Sequence, residues 1–234
     1  MNTNSNSYTI IYASVMVVIV ACALAFVSSS LKATQNKNVE LDKMKQILSA
    51  LNVDTKGQDA QALYHKYVKQ DLIINSEGQT VAEEGGFNID VTAELEKPLN
   101  ERQLPVYVCD VDGQVKYVLP LQGMGLWGPL WGYMGLDADK DTIYGTYFSH
   151  KGETPGLGAE ISTKTFQDPF IGKHIMKDGK FASIAIVKPG KIASGQDYVD
   201  GISGGTITSV GVDHMLKNSV IQYDKFLTNN EGGK

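Results

Sequence analysis

The chain has 234 residues, 42% of them hydrophobic and 20% charged, and its 21 Lys+Arg against 26 Asp+Glu give a formal net charge of −5. That length supports one or two domains with a real core, while the acidic balance argues against a nucleic-acid partner, which would show a basic face. Two cysteines exclude a disulfide scaffold and any cysteine-based zinc or iron–sulfur site within the chain.

The first element runs from Tyr8 to Val27, where YTIIYASVMVVIVACALAFV contains no charged residue. About 20 apolar residues is the length at which an α-helix crosses a bilayer with its backbone satisfied, and Tyr8 and Tyr12 suit a headgroup boundary. Ile19-Val20-Ala21-Cys22 would pass as a lipoprotein cleavage box, and Ala21-Cys22-Ala23 and Ala23-Leu24-Ala25 as signal-peptidase sites. Yet Met1–Ser30 holds no Lys or Arg, and the run exceeds the roughly 7–15 residues of a signal peptide. The reading is therefore an uncleaved anchor (residues 1–30) ahead of one further domain (residues 31–234), with Cys22 a small apolar residue of the span. Lys32, Lys37, Lys43 and Lys45 follow the span and nothing basic precedes it, so charge alone would leave that domain in the cytoplasm.

Asn38–Leu51 sets Leu41, Met44, Ile47, Leu48 and Leu51 on one helical stripe with Asn38 as N-cap, and a second helix is predicted over Gln58–Leu72. Strand patterns follow. Leu104–Val111 and Gln114–Leu121 flank Asp112-Gly113, a strong hairpin turn, and Asp141–Phe148 and Phe181–Val187 are rich in Ile, Val, Tyr and Phe. Cys109 reads as a buried spectator. Ser209–Leu227 carries apolar residues at i, i+3, i+4 spacing and predicts a closing helix. Helices, then strands, then a helix predict an α+β domain, its sheet mainly antiparallel, rather than alternating βαβ units.

Three stretches carry candidate chemistry. Asp200–Ser209 (DGISGGTITS) crowds four hydroxyls and three glycines at the start of the last helix. Helix N-termini favour phosphate, and glycine lets the backbone approach it; an ordinary N-cap needs only one of those hydroxyls. Met124–Tyr133 (MGLWGPLWGY) holds both tryptophans, Trp127 and Trp131, on a glycine-rich stretch that serves equally as a ring platform or as packing. His150–Gly158 (HKGETPGLG) forms a tight turn after a strand.

Ser203-Gly204-Gly205-Thr206-Ile207-Thr208 resembles the S-G-A-T-x-T motif of domains that carry covalent FMN. GMGLWGPLWGYMGL, then DTIYGTYFSHKGETPGLGAEI, and Lys188 ahead of the motif resemble the C subunit of the Na+-translocating NADH:quinone reductases. Gly205 departs from the usual alanine by one methyl group. The resemblance covers most of the chain, including the single N-terminal span. It implies FMN joined through its phosphate to Thr208, by a flavin transferase that moves it from FAD. Ser203, Gly204, Gly205 and Thr206 of the motif, with Thr154, Leu157, Gly158 and Lys188, would line the flavin site. It further implies an electron-carrying subunit of a membrane complex, a single-pass protein of the bacterial inner membrane with its FMN domain on the periplasmic side, against the lysine count. Partners would be the other subunits and membrane lipid, with no metal site here.

An alcohol is a poor nucleophile at neutral pH, and no obvious base lies near Thr208 in sequence, since Asp213 and His214 fall on the following helix. The chain shows no nicotinamide fingerprint, and its span has no ionisable residue for an ion path, so NADH oxidation and Na+ passage would belong to partners. Two other readings remain. The G subunit of Rnf-type electron-transport complexes shares E-T-P-G-L-G and the S-G-A-T-x-T motif. Gly201-Ile202-Ser203-Gly204-Gly205 also fits the G-x-S-x-G elbow of serine hydrolases, but the polar Lys191–Asp200 before it is a poor elbow strand and only His214 follows.

Overall fold

The computed structural model describes residues 5–229, and the chain divides into two compact units, residues 1–43 and 44–234. Residues 1–4 and 230–234 of the anchor and domain ranges expected above lie outside the described residues.

The first unit is helical. Helix α1 (Asn6–Ala50) begins at the uncharged stretch, is long and apolar enough there to cross a membrane, and buries none of that stretch. The Tyr8 and Tyr12 rings stack at its start, 6.2 Å between centroids. The stripe expected to start a separate helix at Asn38 is instead the continuation of α1. Ser28–Lys37 contains neither Gly nor Pro, so nothing interrupts the backbone ladder and Asn38 has no free amide to cap.

The second unit starts with the last turns of that helix, where Gln46, Ile47, Leu48 and Ala50 are buried. Helix α2 (Ala60–Tyr67) follows, with Asp59 accepting from the amides of Gln61 and Ala62 as its N-cap. It is shorter than expected, because Val68 turns into strand β1 (Val68–Ile74). There β1 lies between β3 (Leu104–Val111) and the short edge strand β2 (Thr80–Ala82), and pairing on both sides overrides helix propensity. Helix α3 (Val91–Glu96) precedes β3. Strands β4 (Gln114–Met124), β5 (Pro129–Leu136) and β6 (Ile143–His150) complete a six-stranded antiparallel sheet in the order β2-β1-β3-β4-β5-β6.

Alternate side chains of a strand face opposite sides, and here both sides are covered. Leu104, Val106, Leu119, Leu121, Leu130 and Met134 join one buried cluster with α5 (Thr206–Val220). Tyr107, Cys109, Val118 and Tyr133 join another with Ile47, Leu48 and Leu51. The continuous apolar reading of these strands is the consequence.

The remaining elements are short. Helix α4 (Lys164–Gln167), the hairpin of β7 (Met176–Lys177) and β8 (Lys180–Phe181), and the parallel pair β9 (Ala185–Val187) and β10 (Tyr198–Asp200) lead into α5. Phe181–Val187 is thus not one strand: Ser183 adopts a φ of 63°, and the amides of Ala182 and Ser183 both donate to the Ile175 carbonyl. The closing helix is likewise broken. A 3-10 turn at Ile221–Tyr223 separates α5 from α6 (Asp224–Thr228), where the buried Tyr223 donates its hydroxyl to the Pro105 carbonyl at 3.1 Å.

Candidate functional site

Three segments far apart in sequence meet at the start of α5. The first is the β4–β5 connection. Residues 124–133 form no open loop: Met124 pairs with Pro129, and the Gly125 amide donates to the Gly128 carbonyl at 2.8 Å to close a tight turn. This separates the two tryptophans. Trp127 sits at the hairpin tip, 67% exposed, whereas Trp131 lies within β5 and donates its ring N–H to Gln46 Oε1 at 3.2 Å. Trp131 is packing, and Trp127 alone borders the site.

The second segment follows β6. His150 Nδ1 accepts the Glu153 amide at 3.0 Å, and the Thr154 carbonyl accepts the amides of Leu157 and Ala159, each at 3.1 Å. These bonds draw Thr154–Ala159 into a compact turn that turns Glu153 inward, where it is only 5% exposed.

The third is the motif itself. After β10 the chain turns with the Gly205 amide donating to the Ile202 carbonyl at 3.0 Å and with Gly204 at a φ of +77°, a conformation that strains other residues. Ser209 Oγ accepts the Ile202 amide at 2.9 Å. Helix α5 begins at Thr206 with no side-chain cap, so its first amides keep their donor capacity for something else.

Thr208 lies on the first turn of α5, 2% exposed. Its hydroxyl donates to Glu153 Oε2 at 2.6 Å, and the other oxygen, Oε1, accepts the Trp127 amide at 2.8 Å. One buried carboxylate thus joins all three segments. Gly158 packs against this pair so closely that a Cβ there would fall on Thr208 Oγ1 and Glu153 Oε2.

Of the residues predicted for the site, Thr208, Gly158 and Gly205 are buried together, with the Gly158 amide against Gly205. Leu157 is 41% exposed, and its side chain lies over Gly204. Thr154, Ser203 and Thr206 are exposed at the rim. Lys188 is exposed in the turn after β9, its carbonyl accepting the Lys191 amide; among the described residues no hydrogen bond or ion pair ties it to Thr208. Asp213, on α5, accepts the Ile186 amide at 2.8 Å and so pins β9 rather than the hydroxyl. No hydrogen bond joins a histidine to Ser203 among the described residues, and the hydrolase reading gains no base. Glu153 is the group that sequence reasoning missed. Its signal was being the lone acid between Asp141 and Glu160.

The donors of this site suit an anionic phosphoester. The uncapped first turn of α5 offers amides and the positive end of the helix dipole, and Gly158, Gly204 and Gly205 keep side chains out of the approach. Among the described residues no cluster of His, Cys, Asp and Glu suited to a metal ion is found.

The family model described as FMN-binding domain matches residues 125–221, which span all three segments. The chain is similar to the C subunit of the Na(+)-translocating NADH-quinone reductase of Vibrio vulnificus strain YJ016, 30% identical over 79% of this chain and 78% of the relative. It is similar to the C subunit of Pasteurella multocida strain Pm70 as well, 32% identical over 84% of each. Among solved structures, that of the C subunit from Parabacteroides distasonis ATCC 8503 superposes with a TM-score of 0.81 at 51% identity, covering 86% of this chain and 98% of that one. Shewanella oneidensis NqrC gives a TM-score of 0.69 at 26% identity, covering 81% and 97%.

Proposed function

The chain belongs to the C-subunit family of the Na(+)-translocating NADH-quinone reductases, and from that membership we propose that it carries FMN as a phosphoester on Thr208. Membership makes it an electron-transfer subunit of a multi-subunit oxidoreductase, with other subunits as partners and an FMN-binding domain of its own. The attachment point, the maturation enzyme and the topology are our reading.

The observation that carries the reading is the position of Thr208. It is the one hydroxyl of the motif buried against a carboxylate at the helix start, while Ser203 and Thr206 face outward. When bound, FMN supplies the redox chemistry. The residues of this chain hold it: Thr208 as the tether, the first amides of α5 on the phosphate, and Ser203, Gly204, Gly205, Thr206, Thr154, Leu157 and Gly158 around it. Lys188, exposed in the turn after β9, joins this set from the family resemblance alone. Attachment through an alcohol needs an added enzyme with a metal, as phosphoryl transfer usually does, and we assign that step to a flavin transferase using FAD.

Residues 1–30 serve as the anchor in lipid and residues 31–234 as the FMN-binding domain, with the span in a bacterial inner membrane and the domain on its periplasmic side. The lysines after the span oppose this orientation, but large domains are translocated despite local charge. A covalent tether suits an exported domain, where lost flavin could not readily be replaced.

Intact mass tests the proposal. Co-expressed with a flavin transferase, the full chain should gain one FMN less one water, Thr208→Ala should abolish the gain, and Thr206→Ala should retain at least part of it. An unchanged increment in Thr208→Ala would move the attachment elsewhere.

A further inference from the structure

Glu153 is a buried carboxylate that no binding role yet uses, and keeping such a group from water without a cation is costly. It is 5% exposed, and among the described residues it forms no ion pair. Its position is nevertheless fixed from both ends: its amide donates to His150 Nδ1 at 3.0 Å, and Oε1 accepts the Trp127 amide at 2.8 Å. Only Oε2 is left for Thr208, whose hydroxyl donates to it at 2.6 Å. That distance is an ordinary hydroxyl–carboxyl hydrogen bond and within reach for proton transfer.

Accepting Thr208 as the attachment point, we propose that Glu153 is the base that takes the Thr208 proton when FMN is attached. In this step the Oγ1–H bond breaks and its proton moves to Glu153 Oε2. The freed pair on Oγ1 forms a bond to the FMN-side phosphorus of a flavin adenine dinucleotide. The pyrophosphate P–O bond breaks, and its electron pair leaves with the nucleoside monophosphate. Nothing is oxidised or reduced. The transferase contributes the dinucleotide and its divalent cation.

The same assignment removes a conflict in the product. Once esterified, Oγ1 has no hydrogen to donate, and an ionised Glu153 would face the phosphate as a like charge. A proton received on Oε2 turns that contact into a hydrogen bond from the carboxyl to the ester oxygen. The proton thus activates the hydroxyl before the step and satisfies the oxygen after it.

The test uses the full-length chain purified without flavin, mixed with purified flavin transferase, FAD and Mg2+, and followed by intact mass against time. Wild type, Glu153→Gln, Glu153→Asp and Thr208→Ala are compared, each with a thermal melt beforehand. Gln keeps the length of the side chain. If its oxygen stays on the Trp127 amide, its NH2 faces Oγ1 and cannot take a proton. The initial rate of Glu153→Gln should fall about 100-fold, with Glu153→Asp between it and wild type because a carboxylate is retained.

A wild-type rate in Glu153→Gln overturns the proposal. So does a rate for Glu153→Asp below that for Glu153→Gln, which would mean that length, not basicity, matters and that Glu153 only positions the hydroxyl. Should Glu153→Gln fail to melt cooperatively, Glu153→Ala with and without added formate decides: a rate that formate raises at least about tenfold supports the base, and a rate that formate leaves unchanged overturns it. Failure of the attachment reading looks different, with wild type gaining no increment or gaining one that maps away from Thr208.

Discussion

Thr208 and Gly158 occupy one small volume, and the missing Cβ of Gly158 is what lets the hydroxyl reach Glu153. Gly158→Ala would place a methyl group on both oxygens, and a packed site relieves such overlap by backbone shift at about 1–3 kcal/mol. A lower melting midpoint together with reduced FMN incorporation is the expected result. Gly205 provides the contrast. A Cβ there would meet Ile202 Cγ2 at 3.0 Å and the Gly158 amide nitrogen at 3.3 Å, tight contacts that a shift of a few tenths of an ångström relieves, and its φ of −106° suits any residue. Gly205→Ala, the residue usual in the motif, should therefore load FMN like wild type. At this scale Thr208 was legible because a motif in one short segment marks it. Its partner was not, since 55 residues separate Glu153 from Thr208 and only the fold brings them together.

The hairpin signal matched its expectation, and several helix ends did not. Asp112-Gly113 does join β3 to β4, with Val111 opposite Gln114. Residues 68–72 carry a helical pattern but become the start of β1, because two neighbouring strands offer it partners. Helix α3 illustrates how its neighbours hold a short element. Burial alone would raise the Glu94 carboxyl, yet the Lys97 ammonium at 2.6 Å and the Gln103 amide at 2.9 Å hold it below its ordinary value of 4.5. A carboxyl lowered on folding contributes stability above its unfolded pKa, and this is lost as pH falls through the folded one. Glu94→Gln should thus lower the melting midpoint at pH 7, and the gap to wild type should close as the pH drops well below 4.5. A gap unchanged across that range would show that the charge contributes nothing.

For the whole molecule, charge and family resemblance predict opposite sides of the membrane for the large domain. Cysteine chemistry can decide between them, because neither native thiol interferes. Cys22 lies in the apolar stretch, and Cys109 is buried in β3 with its thiol pushed up to about 12 by burial, leaving almost no reactive thiolate at neutral pH. With Lys56→Cys, at an exposed position between α1 and α2, a membrane-impermeant maleimide added to whole cells should label the chain. Labelling only after lysis would place the domain in the cytoplasm.

The last turns of α1 also limit how the FMN-binding portion can be set free. Ile47, Leu48 and Leu51 are at most 1% exposed, and the Ala50 carbonyl sits where Gly135 and Gly145 would carry a Cβ. At about 1.5–3 kcal/mol for each buried side chain, losing those three would forfeit on the order of 5 kcal/mol, comparable to the whole margin of many folds. A shedding protease, or an engineer wanting a detergent-free fragment, therefore has to cut ahead of Met44. A fragment starting at Asn38 should melt cooperatively, and one starting at Asn52 should fail to fold.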